Sequence, residues 1–265
     1  MKVFRRELKS SIKMLLIWVI VIALFIAAGM TKYKGYSAGG MDITALLDKF
    51  PPIILAMFGF TGFNLEAVEG FYGIIFQYLV LMAGFFSAHI GCNTILKEER
   101  DKTTEFLLVK PISRRKVVFE KWLSNIISLV VFAVAAFIIS IVALKAVAPD
   151  SNITTIIFKL NLTMFLVEFF IMNIGMFMAS ALKYSNKMSG YAMYLVFIFY
   201  LLAMVIDYNE AFHVMTILCP LRYFNVADIV NGISISFVYY IVSVLGGIIL
   251  LFSSLHLYNK RDLNN

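Results

Sequence analysis

Apolar residues fall into six runs of membrane-spanning length, parted by segments where charged and turn-forming residues gather. The runs are Met14–Met30, Phe71–Leu96, Leu123–Val147, Thr163–Leu182, Ser189–Ile206 and Ser236–Leu257. Crossing a hydrocarbon core takes about 20 apolar helical residues, and no run has a central proline to break it. The pattern predicts an all-α integral membrane protein with six transmembrane helices, in one transmembrane domain over residues 1–265. Before the first run, Phe4, Leu8 and Ile12 recur at helical spacing among Lys2, Arg5, Arg6, Lys9 and Lys13. This spacing predicts a basic amphipathic helix over about 2–13, lying among the headgroups of membrane lipids. The first run also imitates a signal peptide, but its length exceeds the usual apolar core of one, and it is read as an uncleaved span. Ile53–Phe63, after Pro51-Pro52, is too short to span and reads as an interfacial or re-entrant piece. Residues 207–235, with Cys219-Pro220, are similarly mixed.

Composition agrees. With 61% apolar and 15% charged residues, the chain lacks the polar surface of a soluble domain, which is near a quarter charged. Little length remains for a soluble catalytic domain. The net charge of +7 reads as orientation rather than nucleic-acid binding, since cytoplasmic loops collect Lys and Arg. With the N-terminus inside, 17 of the 23 Lys and Arg lie on the cytoplasmic side and 6 outside. Both termini are therefore expected in the cytoplasm. Cys92 and Cys219 stand far apart and suggest no disulfide framework.

The segment from Lys97 to Lys121 carries the most information. Up to Val109 it reads as helix, with Glu98 and Lys102 spaced for an i, i+4 pair. Glu105 and Phe106-Leu107-Leu108 add an apolar knob to this charged rod. Pro111 stops it, and Ser113 is placed to cap a new helix starting at Arg114. A rigid charged element with an apolar knob, joined to two spans, suits docking of a cytoplasmic partner; a solvated connection is the plainer alternative.

Glu98, Glu99, Thr104, Leu107, Leu108, Pro111, Ile112, Ser113, Arg114 and Lys121 together resemble the first cytoplasmic loop of the permease subunits of type-2 ABC exporters. Where family members often carry Gly before that Thr, this chain has Thr103. The six-span plan and the basic N-terminal helix are also similar. The resemblance implies a membrane subunit that pairs with a second permease copy or a homologue and docks two copies of a separate ABC ATPase. It would place the coupling helix at Glu98–Leu108 and the interfacial helix at Phe4–Ile12, in the cytoplasmic membrane. No GxxxxGK[ST] occurs in the sequence, so ATP would be hydrolysed by the partner, with no cofactor bound directly and no covalent chemistry here.

Other motifs carry less. Gly35-Tyr36-Ser37-Ala38-Gly39 matches G-x-S-x-G but lacks a surrounding sheet, and reads as a flexible turn. His89 and Cys92 share a helix face, yet two ligands do not make a metal site. Ala83, Ser87 and Gly91, with Gly175 and Ala179, read as close-packing seams, within the chain or between copies. Glu168 lies about five residues into the fourth run, near its outer side. An acid there needs a partner such as Lys159, Asn161 or Asn173, or lines a polar substrate path. A secondary transporter or channel using Glu168 is the main alternative function, with a membrane accessory or scaffold protein behind it.

Overall fold

The computed structural model describes residues 2–39, 47, 49–103, 113–149, 153–182 and 188–260. Among these, helices α1 (Lys2–Gly39), α2 (Pro52–Met57), α3 (Val68–Arg100), α4 (Arg114–Val147), α5 (Thr154–Ala181) and α6 (Met188–Tyr208) follow in order. Two 3-10 stretches, Glu210–Leu218 and Pro220–Arg222, then lead to α7 (Val226–Val230) and α8 (Phe237–Lys260). There is no strand among the described residues, and six helices are long and apolar enough to cross a membrane. All six predicted spans are present.

The helices outrun the apolar runs. α1 has 38 residues, a length of about 57 Å at 1.5 Å per residue, well beyond a hydrocarbon core of about 30 Å. It passes Lys13–Met14 without a break, so Phe4–Ile12 forms the first turns of the first spanning helix rather than a separate one. It also continues through Gly35–Gly39, where the sequence suggested a turn; helical hydrogen bonding persists once the backbone is already in register.

α3 and α5 form the centre, and α1, α4, α6 and α8 surround them. Small residues permit this. A methyl group at Gly91 would lie 2.2 Å from the Met172 carbonyl oxygen, and one at Gly175 would lie 2.7 Å from that of Ala88. The predicted small-residue seam thus joins α3 to α5 within the chain. Packing holds the rest: Phe86 stacks on Phe132 at 4.9 Å, and Tyr72 donates to Ser140 across α3 and α4 at 2.7 Å.

The mixed segments are folded against the bundle. α2 docks beside α6, and the Tyr78 hydroxyl donates to the Phe58 carbonyl at 2.8 Å. In the 207–235 segment, Cys219, Pro220, Tyr223, Phe224, Val226 and Ala227 are buried. Asn225 caps α7 through its side chain, at 3.1 Å from the Ala227 amide.

Candidate functional site

The chain segments that flank residues 104–112 meet at one end of the bundle, where α1, α3 and α4 converge. Thr104, Glu105, Phe106, Leu107, Leu108 and Pro111 themselves lie outside the described residues. α3 ends at Arg100, not at Val109. Its close has the Schellman pattern: the Thr103 amide donates to the Glu98 carbonyl at 2.8 Å, and the Lys102 amide to that of Glu99 at 3.3 Å. Lys102 adopts φ 53°, the left-handed conformation usually left to glycine. That turn takes Lys102 out of helical register with Glu98, so the anticipated i, i+4 pair does not form. Ser113 caps α4 as expected, accepting from the Lys116 amide at 3.4 Å.

Glu98 turns inward instead. Its side chain is only 3% exposed and contacts the Lys121 ammonium, itself 1% exposed. The other carboxylate oxygen accepts from Arg6 at 2.7 Å. Arg6 also reaches Glu7 at 2.9 Å, and Lys97 sits 3.4 Å from Glu7 while donating to Ser10 at 2.6 Å. Lys121 further donates to the Thr94 carbonyl at 2.6 Å. The Thr94 hydroxyl in turn meets Asn125 at 3.0 Å. Glu120 of α4 accepts from the Phe4 amide at 3.1 Å, satisfying one of the N–H groups that every helix start leaves without a partner. Arg6, Lys97 and Lys121 with Glu7 and Glu98 therefore form an ion-paired set, and Glu120 adds its hydrogen bond to Phe4, so that three helices are joined.

Burial is expensive for any of these charges alone and tolerable for the set. The arrangement ties the ends of α1, α3 and α4 into one ion-paired unit. Displacing either flank of the 104–112 segment moves all three helix ends or breaks these bonds.

The inward face of α1 at this end is set by residues that the sequence pattern did not single out. Val3 and Glu7 are buried, while Phe4 and Leu8 are half-buried, Ile12 is 45% exposed, and Arg5 and Lys9 are exposed. Glu7 was missed altogether. The signal was available: Met30, Ile26, Ile22 and Leu15 form the buried stripe of α1, and tracing its helical period backwards arrives at Glu7 and Val3. Glu99 is half-buried at the end of α3, and Arg114 opens α4.

Glu168 occupies another place. Because α5 begins at Thr154, nine residues before the predicted span, Glu168 falls near the helix middle rather than its outer end. It is 0% exposed, and neither carboxylate oxygen has a hydrogen-bond partner among the described residues. Lys159 is exposed, and Asn161 and Asn173 donate to the backbone carbonyls of Ile157 and Phe169. None of the three anticipated partners bonds to Glu168. His89 bonds to Ser189 at 3.0 Å, tying α3 to α6, and no group of metal-ligating residues occurs among the described ones.

A family model for the ABC-2 family transporter proteins matches residues 1–263. The chain belongs to that family. The ABC-2 protein is thus a multi-pass membrane subunit of transport type, a type-2 ABC permease. It matches none of the curated proteins with which it was compared. The resemblance read from Glu98 to Lys121 therefore extends over nearly the whole permease. Members of this family generally work with an ABC ATPase.

Proposed function

We propose that this chain is the membrane-spanning subunit of an ATP-driven exporter in the cytoplasmic membrane, with both termini in the cytoplasm. It pairs with a second permease copy or a homologue, and two copies of a separate ATPase dock on the 104–112 segment. Phe106, Leu107 and Leu108 supply the apolar contact, with Glu105 and the flanking charges setting its orientation. ATPase closure displaces the segment. The ion-paired ends of α1, α3 and α4 follow as a body, and the bundle passes between inward- and outward-facing arrangements.

The observation that supports this most is the ion-paired set around Glu98. It lies where a docked ATPase would push, and it links the loop flanks to α1, which is remote from them in sequence. The test is purification of tagged protein from its own membranes in mild detergent, with mass spectrometry of the co-purifying chains. A stoichiometric subunit with a phosphate-binding loop, lost when Phe106, Leu107 and Leu108 become Asp, is the expected result. A homogeneous active complex without an ATPase overturns the reading.

A second reading rests on Glu168. An acid with no partner at the middle of a spanning helix is costly, on the order of 2.5–3.5 kcal/mol if charged, and such residues often serve a substrate or ion path. In a secondary transporter or channel Glu168 would carry that path. Within an exporter it would meet substrate only when α3 and α5 part.

A further inference from the structure

The end of the bundle opposite Glu98 holds a polar cavity of about 140 Å³, walled by His213, Thr216, Arg222, Tyr223, Asp228 and Tyr239, with Ser234 and Ser236 at its rim. Its charges do not cancel. Arg222 is committed to Asp207 through a 2.5 Å contact. The side chain of Asp228, half-buried on α7, forms no hydrogen bond or ion pair among the described residues. One carboxylate is left uncompensated beside the cavity.

The aromatic wall has a matching character. Tyr223 and Tyr239 stack at 5.5 Å with 18° between their planes. The Tyr223 hydroxyl is engaged with the Ile217 carbonyl at 2.7 Å, and its buried ring packs on Phe170 as well as Tyr239, so the half-buried Tyr239 is the ring that faces a ligand. Aromatic rings near a carboxylate favour an organic ammonium, which gains from both the ring quadrupole and the charge, over a strongly hydrated metal ion. The volume admits a headgroup and not a whole drug-sized molecule, whose sites start at about 300 Å³.

The geometry points to a binding site for an organic ammonium group in this cavity, held by Asp228 and the Tyr239 ring, which Tyr223 backs. The ammonium belongs to a soluble amine or to the headgroup of an amine-bearing lipid. This site goes beyond the ATP-driven reading and does not depend on it.

The test is calorimetric titration of the purified full-length protein in nanodiscs of phosphatidylglycerol, using tetramethylammonium and ethanolamine, with potassium as the control cation. Saturable binding of the organic cations, at least tenfold tighter than potassium, is expected. Asp228→Asn and Tyr239→Leu should each weaken it roughly tenfold while the gel-filtration profile is unchanged. Nanodiscs doped with phosphatidylethanolamine separate the two sources: competition with ethanolamine assigns the lipid headgroup, and its absence assigns the soluble amine. Lack of saturable binding overturns the site, as does equal binding of potassium. Binding that survives both substitutions in folded protein overturns it too.

Discussion

The Lys121 ammonium of α4 rests on the Glu98 carboxylate of α3, and both side chains are almost wholly buried, at 1% and 3% exposure. Each charge is tolerable because of the other. Glu98→Gln leaves Lys121 buried without its carboxylate and is expected to cost about 3 kcal/mol. The double replacement Glu98→Leu with Lys121→Leu should recover most of that loss, because it removes both desolvated charges together. Thermal unfolding of the detergent-purified variants checks the order: the single variant lowest, the double variant near wild type in stability but impaired in coupling.

Lys102 holds a left-handed backbone conformation at φ 53°. A side chain there costs roughly 1–2 kcal/mol that glycine avoids, less the extra backbone entropy glycine loses on folding. Lys102→Gly is therefore expected to stabilise the protein by about 0.5–1 kcal/mol. A lower unfolding midpoint in the same assay would contradict the assigned turn.

The α3–α5 seam gives a contrast between two glycines. A methyl group at Gly91 meets the Met172 carbonyl at 2.2 Å, while one at Gly35 meets nothing within 4 Å. Gly91→Ala must force the two central helices apart and should cost about 1–3 kcal/mol. Gly35→Ala should be neutral or stabilising by up to about 1 kcal/mol, from helix propensity. Comparing the two unfolding midpoints decides the matter.

Much of this architecture was legible in the sequence, because a bilayer imposes long apolar runs that no loop imitates. The six spans and the cap at Ser113 follow directly from residue pattern. The helix ends do not, since charged residues extend a helix past the membrane as readily as they end it. Glu7 escaped notice, and the burial of Lys121 went unread, for a related reason: a charge near a membrane surface is normally solvated, and only three-dimensional convergence of α1, α3 and α4 buries them. The close of α3 at Lys102 was also hidden, because lysine is not a residue that announces a left-handed turn. Gly91 and Gly175 were visible as a seam, but only the fold assigns that seam to a contact within the chain.

Glu168 is 0% exposed and has no hydrogen-bond partner on its carboxylate among the described residues. Glu168→Met removes a group whose burial is uncompensated and should raise the unfolding midpoint. Glu168→Gln keeps the shape and is expected to preserve expression while reducing transport severalfold. Unchanged transport and expression in that variant remove Glu168 from the substrate path.

The central claim is that ATP moves the joined ends of α1, α3 and α4 relative to the outer helices. Spin labels at Lys13→Cys on α1 and Asn259→Cys on α8, both exposed positions, report that motion without knowledge of the substrate. The native cysteines do not interfere: Cys92 and Cys219 are buried, and burial pushes the Cys219 thiol up to about 11. Double electron–electron resonance on the permease–ATPase complex should show a distance distribution that shifts between the nucleotide-free and ATP-trapped states, with the shift abolished in Glu98→Gln. An unchanged distribution in a complex that hydrolyses ATP would contradict the account.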